Sequence, residues 1–209
     1  MFVPLFLLTA SCASSGGDTA PIRYQSPTAV FNAYREAGGK RDWRKCFACL
    51  TPEAQKETVF EVFFSCTMSS SEESRAIVKK YVDGAAANDE FQKKYREKHG
   101  IDIAKLVEGR ENDPTFRPPP PDRDLIRDAV AAHVKDKAGF YEAATDLFVK
   151  TAVSPLGDLE DLTVHDDTAT GRAKRTIVPT PGESPPAVDK IDKTFKFRRV
   201  NGGWLLDSP

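Results

Sequence analysis

Histidine, cysteine and long apolar runs are all scarce in this sequence. Three histidines and four cysteines occur in 209 residues, and the HExxH, P-loop and GxSxG motifs are absent. Hydrolase and nucleotide-binding functions therefore lack the residues that their chemistry requires. Beyond residue 10, no apolar segment approaches the roughly 18 residues of a membrane-spanning helix, so the body of the chain is not expected to cross a bilayer.

The charge balance gives no strong field of either sign. Lysine and arginine number 30, aspartate and glutamate 31, and the formal net charge is −1, so net charge alone implies no partner. Residues 170–200 carry a local positive excess. Alternation with Phe195 places Lys196 and Arg198 on an outer strand face, which either meets anionic lipid headgroups or cell-wall polymers or is simply solvated. No exposed aromatic residues interleave with these charges, so nucleic acid is not an expected partner.

The first eleven residues have the pattern of a secretory signal peptide. Residues 2–9 are apolar apart from the closing Thr9, and the small residues Ala10 and Ser11 follow directly. Such a segment is too short for a mature membrane anchor, and it matches a hydrophobic region with a small-residue cleavage site. We therefore expect residues 1–11 to be a cleaved signal peptide and the protein to be exported.

Cys12 stands directly after this segment. The sequence Leu8-Thr9-Ala10-Ser11-Cys12 resembles a bacterial lipobox. The resemblance implies cleavage before Cys12, attachment of diacylglycerol to its sulfur, and anchoring to a membrane of the cell envelope. Residues 13–21 are small and polar, so residues 12–25 are expected to form a flexible tether. The alternative is an ordinary cleaved signal in which Cys12 has no role.

Helical patterns occupy most of residues 26–148. Ser26 followed by Pro27 is a start signal for the first helix, which the Gly38-Gly39 pair should end. The further predicted starts are Asp42, Thr51, the serines of 69–71, Asn88 and Asp122, with a break at Gly139. The second helix has apolar residues at i, i+3, i+4 and i+7, which predicts one buried face. These residues are Trp43, Cys46, Phe47 and Leu50. The third helix has a broad apolar surface, which includes Phe63 and Phe64, and is expected to pack on more than one side.

After Pro155 the pattern changes from helical to alternating. The turn sequences Asp166-Asp167 and Asn201-Gly202-Gly203 separate predicted strands, and the hairpin around the second turn is the clearest strand signal. Proline-rich segments at 117–121 and 179–186 are expected to be a stiff connector and a loop. Helices first and an antiparallel sheet last predict an α+β fold, with the helices packed on one face of the sheet.

The two ends of the folded region carry a family resemblance. SPTAVFNAYREAGGKRDWRKCFACLTPEA at residues 26–54 and TFKFRRVNGGWLLDSP at residues 194–209 resemble the opening and the terminal hairpin of nuclear-transport-factor-2-like domains in bacterial lipoproteins. The resemblance covers Ser26 to about Gln55 and Leu159 to Pro209, which is less than half of the chain. It implies one domain over residues 26–209, with a helical insertion at about 67–154.

This resemblance also implies a cone-like, cystatin-like fold with a cavity between a curved sheet and the helices. The family uses that cavity for isomerisation, cyclisation, small-molecule binding or protein contacts, so the fold fixes no activity. The expected pocket residues are Tyr34, Trp43, Phe47 and Phe63. We expect a non-enzymatic, lipid-anchored envelope protein that binds an apolar small molecule or an envelope protein. A cavity enzyme of isomerase or cyclase type and a purely structural envelope protein are the alternatives.

Three cysteines remain once Cys12 is assigned to the lipid. Cys46 and Cys49 form a C-x-x-C pair one helical turn apart, but the pair follows no strand, and Leu50 stands where a haem-attachment motif has histidine. In an oxidising compartment either of them could pair with Cys66 if the Cα atoms come within about 7 Å. Buried thiols and a disulfide to Cys66 both stay open.

The three histidines are scattered and stand in no metal-binding pattern. His99 is predicted at a helix end, His133 beside an apolar helix face, and His165 in an acidic turn that solvent should surround. We therefore expect no metal and no cofactor. An isomerase-like site would use Tyr34 as a donor and a carboxylate such as Asp42, whereas packing for Tyr34 and helix capping for Asp42 are the simpler roles.

Overall fold

The computed structural model describes residues 23–103, 122–149, 155–177 and 190–208. The predicted signal peptide, Cys12, most of the predicted tether and both proline-rich segments lie outside these ranges. Within them, helices come first and strands last. The helices are α1 (Pro27–Gly39), α2 (Trp43–Ala48), α3 (Pro52–Met68), α4 (Glu72–Tyr81), α5 (Gly84–His99), α6 (Arg123–Ala132) and α7 (Lys137–Phe148). The strands are β1 (Glu160–His165), β2 (Thr168–Thr176), β3 (Lys190–Val200) and β4 (Gly203–Ser208).

The predicted α+β fold is confirmed. The strands form one antiparallel sheet in the order β1-β2-β3-β4, and the helices cover its inner face. At the predicted turn between β3 and β4, Asn201 and Gly202 have φ values of 51° and 81°, as a type I′ hairpin turn requires. Within the described ranges, no helix combines the length and the apolarity needed to cross a membrane.

Five helices begin where the sequence predicts. Their capping residues are Ser26, Asp42, Thr51, Ser71 and Asp122. Each capping side chain accepts a hydrogen bond from the backbone amide three residues further on, so it pairs an amide that has no partner inside the helix. In α1 and α3 the residue after the cap is proline, which has no amide hydrogen to leave unpaired.

Two helix boundaries differ from the prediction. α5 begins at Gly84 rather than Asn88, because Asp83 caps it. The predicted break at Gly139 is wrong, because the chain leaves its helical path earlier, between α6 and α7, and Gly139 lies in the first turn of α7. The Gly139 amide donates to Asp136 Oδ1 at 2.9 Å, so this glycine belongs to a helix start.

The hydrophobic core lies between the helices and the inner face of the sheet. Phe31 of α1 packs edge-on against Phe195 of β3, with ring centroids 5.0 Å apart. Val130 of α6 and Phe140 of α7 belong to the same buried cluster. Helices α4, α6 and α7, which lie within 67–154, therefore share one core with the sheet.

The apolar surface of α3 is only partly covered. Val59 and Cys66 are fully buried, whereas Phe63 is half-buried, Phe64 is 54% exposed and Met68 is 71% exposed. The expectation that α3 packs on more than one side is confirmed by its contacts with α4, α6, α7 and β4, whereas the side that bears Phe64 is left exposed.

Candidate functional site

A groove of about 850 Å³ lies between the helices and the sheet. Its walls are the second half of α1, the start of α2, the second half of α7, the segment before β1, and the inner face of β2 and β3. Five aromatic side chains line it, namely Tyr34, Trp43, Tyr141, Phe148 and Phe195. The volume falls within the ~300–1,000 Å³ typical of small-molecule pockets.

Two tyrosines give the groove polar groups. Burial raises the pKa of Tyr141 to about 12 and raises the pKa of Tyr34 far above its ordinary value, because a phenolate would lose its solvation there. Both phenols are therefore protonated at neutral pH. They can donate hydrogen bonds to a bound molecule.

Trp43 ties α2 to α7 beside the groove. The side chain is 6% exposed, and its Nε1 donates to Asp146 Oδ1 at 2.6 Å. Asp42 precedes it and caps α2 by accepting a hydrogen bond from Lys45 N at 3.1 Å. The predicted capping role of Asp42 is therefore confirmed, and Trp43 is held in a fixed position.

Two arginines that line the groove connect the elements that form its walls. Arg35 of α1 forms an ion pair with Asp158 Oδ1 at 2.6 Å and also donates to the carbonyl of Gly157 at 3.1 Å. Arg41, just after α1, donates to the carbonyl of Val149 at the end of α7. These contacts join α1 to the segment before β1 and to α7.

Two further cations reach the groove from the sheet. Arg175 lies two residues after Ala173, on the same inward side of β2. Lys193 lies two residues before Phe195, on the inward side of β3. Burial and the nearby Arg175 lower the pKa of Lys193, while Glu61 of α3 raises it to a smaller extent. Neither cation forms an ion pair with any residue that the structure describes.

The predicted pocket residues divide into two groups. Tyr34 and Trp43 line the groove, whereas Phe47 and Phe63 do not. Phe47 is 5% exposed and packs inside the core against the Tyr141 ring, at a centroid distance of 5.5 Å. Phe63 packs half-buried against the same core from α3. Both side chains are apolar, as a pocket wall would require, but they pack in or against the hydrophobic core instead.

The sequence analysis missed Tyr141, Arg175 and Lys193 as groove residues. A signal for Lys193 was present, because a residue two positions from Phe195 must share its side of the strand. No comparable signal identified Tyr141, since its place at the groove depends on how α7 packs against α2.

The cysteines of the described chain are free, buried thiols, which is one of the two alternatives. Cys46 touches the groove, and burial raises its pKa to about 12. Cys49 Sγ lies 3.4 Å from the Tyr24 hydroxyl. Cys66 is fully buried on α3. Thiols with raised pKa values are poor nucleophiles at neutral pH.

The histidines lie away from the groove. His99 ends α5 as predicted, with Nε2 at 3.0 Å from Asp122 Oδ2, and His133 Nε2 lies 2.6 Å from Glu90 Oε2. His165 ends β1 and is exposed. Across the ranges that the structure describes, no three or more histidine, cysteine or acidic side chains are grouped as a metal site would require.

A comparison with known proteins finds no matching family model, no matching curated protein and no matching solved structure. The family and lipobox resemblances therefore depend on the sequence motifs. The chemistry of the groove has to be inferred from its own residues.

Proposed function

We propose that this chain is a lipid-anchored envelope protein whose domain binds a small, largely apolar molecule in the groove without transforming it. The observation that carries the binding proposal is the groove itself, with a volume of about 850 Å³ and five aromatic side chains in its wall. Small-molecule sites typically combine such a wall with a few polar groups that fix orientation. Here those groups are the phenols and the basic side chains.

The suspected family supports the same proposal. Residues 26–54 and 194–209 resemble nuclear-transport-factor-2-like domains, and that resemblance implies a cavity between the helices and the sheet. The groove has this position. Since such cavities serve several activities, the resemblance supports a binding site and leaves the ligand open.

The phenols and the thiol of the groove are unsuited to general-base catalysis, which favours binding. A general base works best when its pKa lies near the operating pH. Burial instead raises the pKa values of Tyr141 and Cys46 to about 12, and it raises that of Tyr34 as well. These side chains stay protonated at neutral pH and act as hydrogen-bond donors or packing groups.

The anchoring part of the proposal depends on the leader and Cys12. Tyr24 is already tied to the sheet, because its carbonyl accepts a hydrogen bond from Trp204 N of β4 at 2.9 Å. Residues 12–23 therefore connect the proposed lipid to this point of the chain. Their composition suits a tether.

Binding can be tested with N-phenyl-1-naphthylamine, a neutral apolar fluorophore. The full chain with Cys12→Ala is used, so that no acyl chain of its own competes for the groove. We expect a saturable rise in fluorescence. Gly38→Phe should weaken binding roughly tenfold by filling the groove, since a Cβ at Gly38 meets only Cys46 Sγ, at 3.9 Å, and so fits.

Gly84→Phe is the matched control for this experiment. Gly84 lies at the start of α5, away from the groove, and a Cβ there meets nothing within 4 Å. This variant should bind the fluorophore as the unsubstituted chain does. A fluorescence rise that does not saturate, or equal weakening by both substitutions, would show that the groove is not the binding site.

A further inference from the structure

We infer that the ligand of this groove carries an oxyanion, a carboxylate or a phosphate, that is bound between Arg175 and Lys193 while its apolar body lies among the aromatic side chains. The inference rests on the proposed binding function and adds the chemical class of the ligand. It follows from the charges of the groove and from the pairing of β2 with β3.

The groove is positive, although the whole chain has a formal net charge of −1. Its basic lining residues are Arg35, Arg41, Arg175 and Lys193. In the described part of the chain, no aspartate or glutamate lines the groove beside them. Cations concentrated on one concave surface focus a positive field, so an anion is attracted and a cation is repelled.

Arg35 and Arg41 already have partners within the protein. Arg35 is paired with Asp158 at 2.6 Å, and Arg41 donates to the Val149 carbonyl. Their positions are therefore set by the walls that they join. They add to the positive potential of the groove, but their side chains are already bound to protein groups and are not the expected ligand contacts.

Arg175 and Lys193 are placed differently, because neither forms an ion pair with a described residue; Lys193 Nζ lies over the Phe195 ring, 5.9 Å from its centroid. The register sets Lys193 opposite Ala173 and Arg175 opposite Ile191, so the two basic side chains are diagonal neighbours on one face of the sheet. Such neighbours lie roughly 7–8 Å apart. One oxyanion fits between two cations at this spacing, with a charge-assisted hydrogen bond from each. Ala173 contributes only a methyl group and leaves room for it.

The pair has no counterion among the described residues. Burial and repulsion from Arg175 lower the pKa of Lys193, and the opposing influence of Glu61 is weaker and comes from outside the groove lining. Two like charges that share a partly buried surface are stabilised by an anion between them. The protonated Tyr34 and Tyr141 supply further donors nearby.

Two fluorophores with the same apolar body test this inference. 8-Anilinonaphthalene-1-sulfonate carries an oxyanion, and N-phenyl-1-naphthylamine is its neutral counterpart. With the full chain bearing Cys12→Ala, we expect the sulfonate to bind about tenfold or more tightly than the neutral probe, as a charge-assisted hydrogen bond allows. Displacement by 2-naphthoate and by 2-naphthyl phosphate, measured separately, then distinguishes carboxylate from phosphate.

Substitutions on the two sides of the same strands locate the oxyanion. Arg175→Met and Lys193→Met should each weaken sulfonate binding about tenfold and leave neutral-probe binding within about twofold. Lys174→Met and Lys196→Met are matched controls on the exposed outer face, and they should change neither probe. Circular dichroism verifies the fold, and Lys193→Gln replaces Lys193→Met if the latter unfolds.

The outcomes separate this inference from the proposed function. Saturable binding of the neutral probe without preference for the sulfonate overturns the oxyanion and leaves the binding function standing. Equal effects of inner and outer substitutions also overturn it, because sulfonate binding would then reflect general surface charge. Failure of both probes to bind saturably overturns the inference and the proposed function together.

Discussion

Thr51 shows how one side chain joins several elements. It is 1% exposed, and its Oγ1 accepts a hydrogen bond from Ala54 N at 3.2 Å and donates one to Asp207 Oδ1 at 3.0 Å. Asp207 also accepts from Arg198 Nη2 at 2.7 Å. A hydroxyl buried this deeply has to be hydrogen-bonded, so Thr51 links the start of α3 to β4.

Replacing Thr51 by valine should therefore destabilise the protein. The isosteric side chain keeps the packing but removes the helix cap and leaves Asp207 short of a donor, so we expect a loss of about 2–3 kcal/mol in the free energy of unfolding. Urea unfolding followed by circular dichroism measures it. Thr67→Val is the control, because the Thr67 hydroxyl donates to the Phe64 carbonyl in an exposed position, where about 0.5 kcal/mol or less is expected. Similar losses for both variants would contradict the linking role.

The groove residues show the limit of sequence reasoning at this scale. Trp43 and Phe47 were both correctly predicted to be buried, but burial does not tell whether a side chain faces a cavity or a filled core. That choice depends on what packs opposite. For Phe47 the opposing group is the Tyr141 ring, which comes from a helix nearly one hundred residues later in the sequence.

At the scale of elements, helix starts were the most predictable feature. A capping side chain bonds an amide only three residues away, so the signal is local and readable in sequence. Glycine is harder to interpret, because it can end a helix or allow a close approach within one. At Gly139 it does the latter, since an added Cβ would collide with the Asp136 side chain and lie 2.6 Å from Arg44 Nη2.

Gly139→Ala tests this interpretation of α7. The added methyl group should displace the Asp136 side chain from its cap and disturb the ion pair that it forms with Arg44 at 3.0 Å, so we expect about 1–2 kcal/mol of destabilisation. Gly84→Ala in α5 is the matched control. A Cβ there meets nothing within 4 Å, and the better helix propensity of alanine should stabilise the protein by up to about 1 kcal/mol. Urea midpoints that move in the same direction for both variants would contradict the close-approach role.

For the whole molecule, the order of elements was predictable, whereas most of the groove lining was not. The change from helical to alternating periodicity after Pro155 places the sheet last, and short turns pair β1 with β2 and β3 with β4 as antiparallel hairpins. The groove needs α1, α7, β2 and β3 to meet, and the lining residues of α1 precede those of the other three elements by more than one hundred residues. Its two inward cations on the sheet become neighbours only through the register of β2 and β3.

The last prediction concerns the proposed attachment of the protein to a membrane. A diacylglycerol on Cys12 would add two acyl chains, and at ~0.8 kcal/mol per buried CH₂ group two chains anchor a protein stably where one does not. The unsubstituted protein, expressed in a bacterium, should therefore sediment with membranes and show the acyl mass on a chain that begins at Cys12. Cys12→Ala should move it to the soluble fraction, whereas Cys66→Ala, which alters a buried thiol of α3, should leave it bound. Unsubstituted protein that is soluble and unacylated would contradict the anchor, and so would Cys12→Ala protein that stays with the membranes.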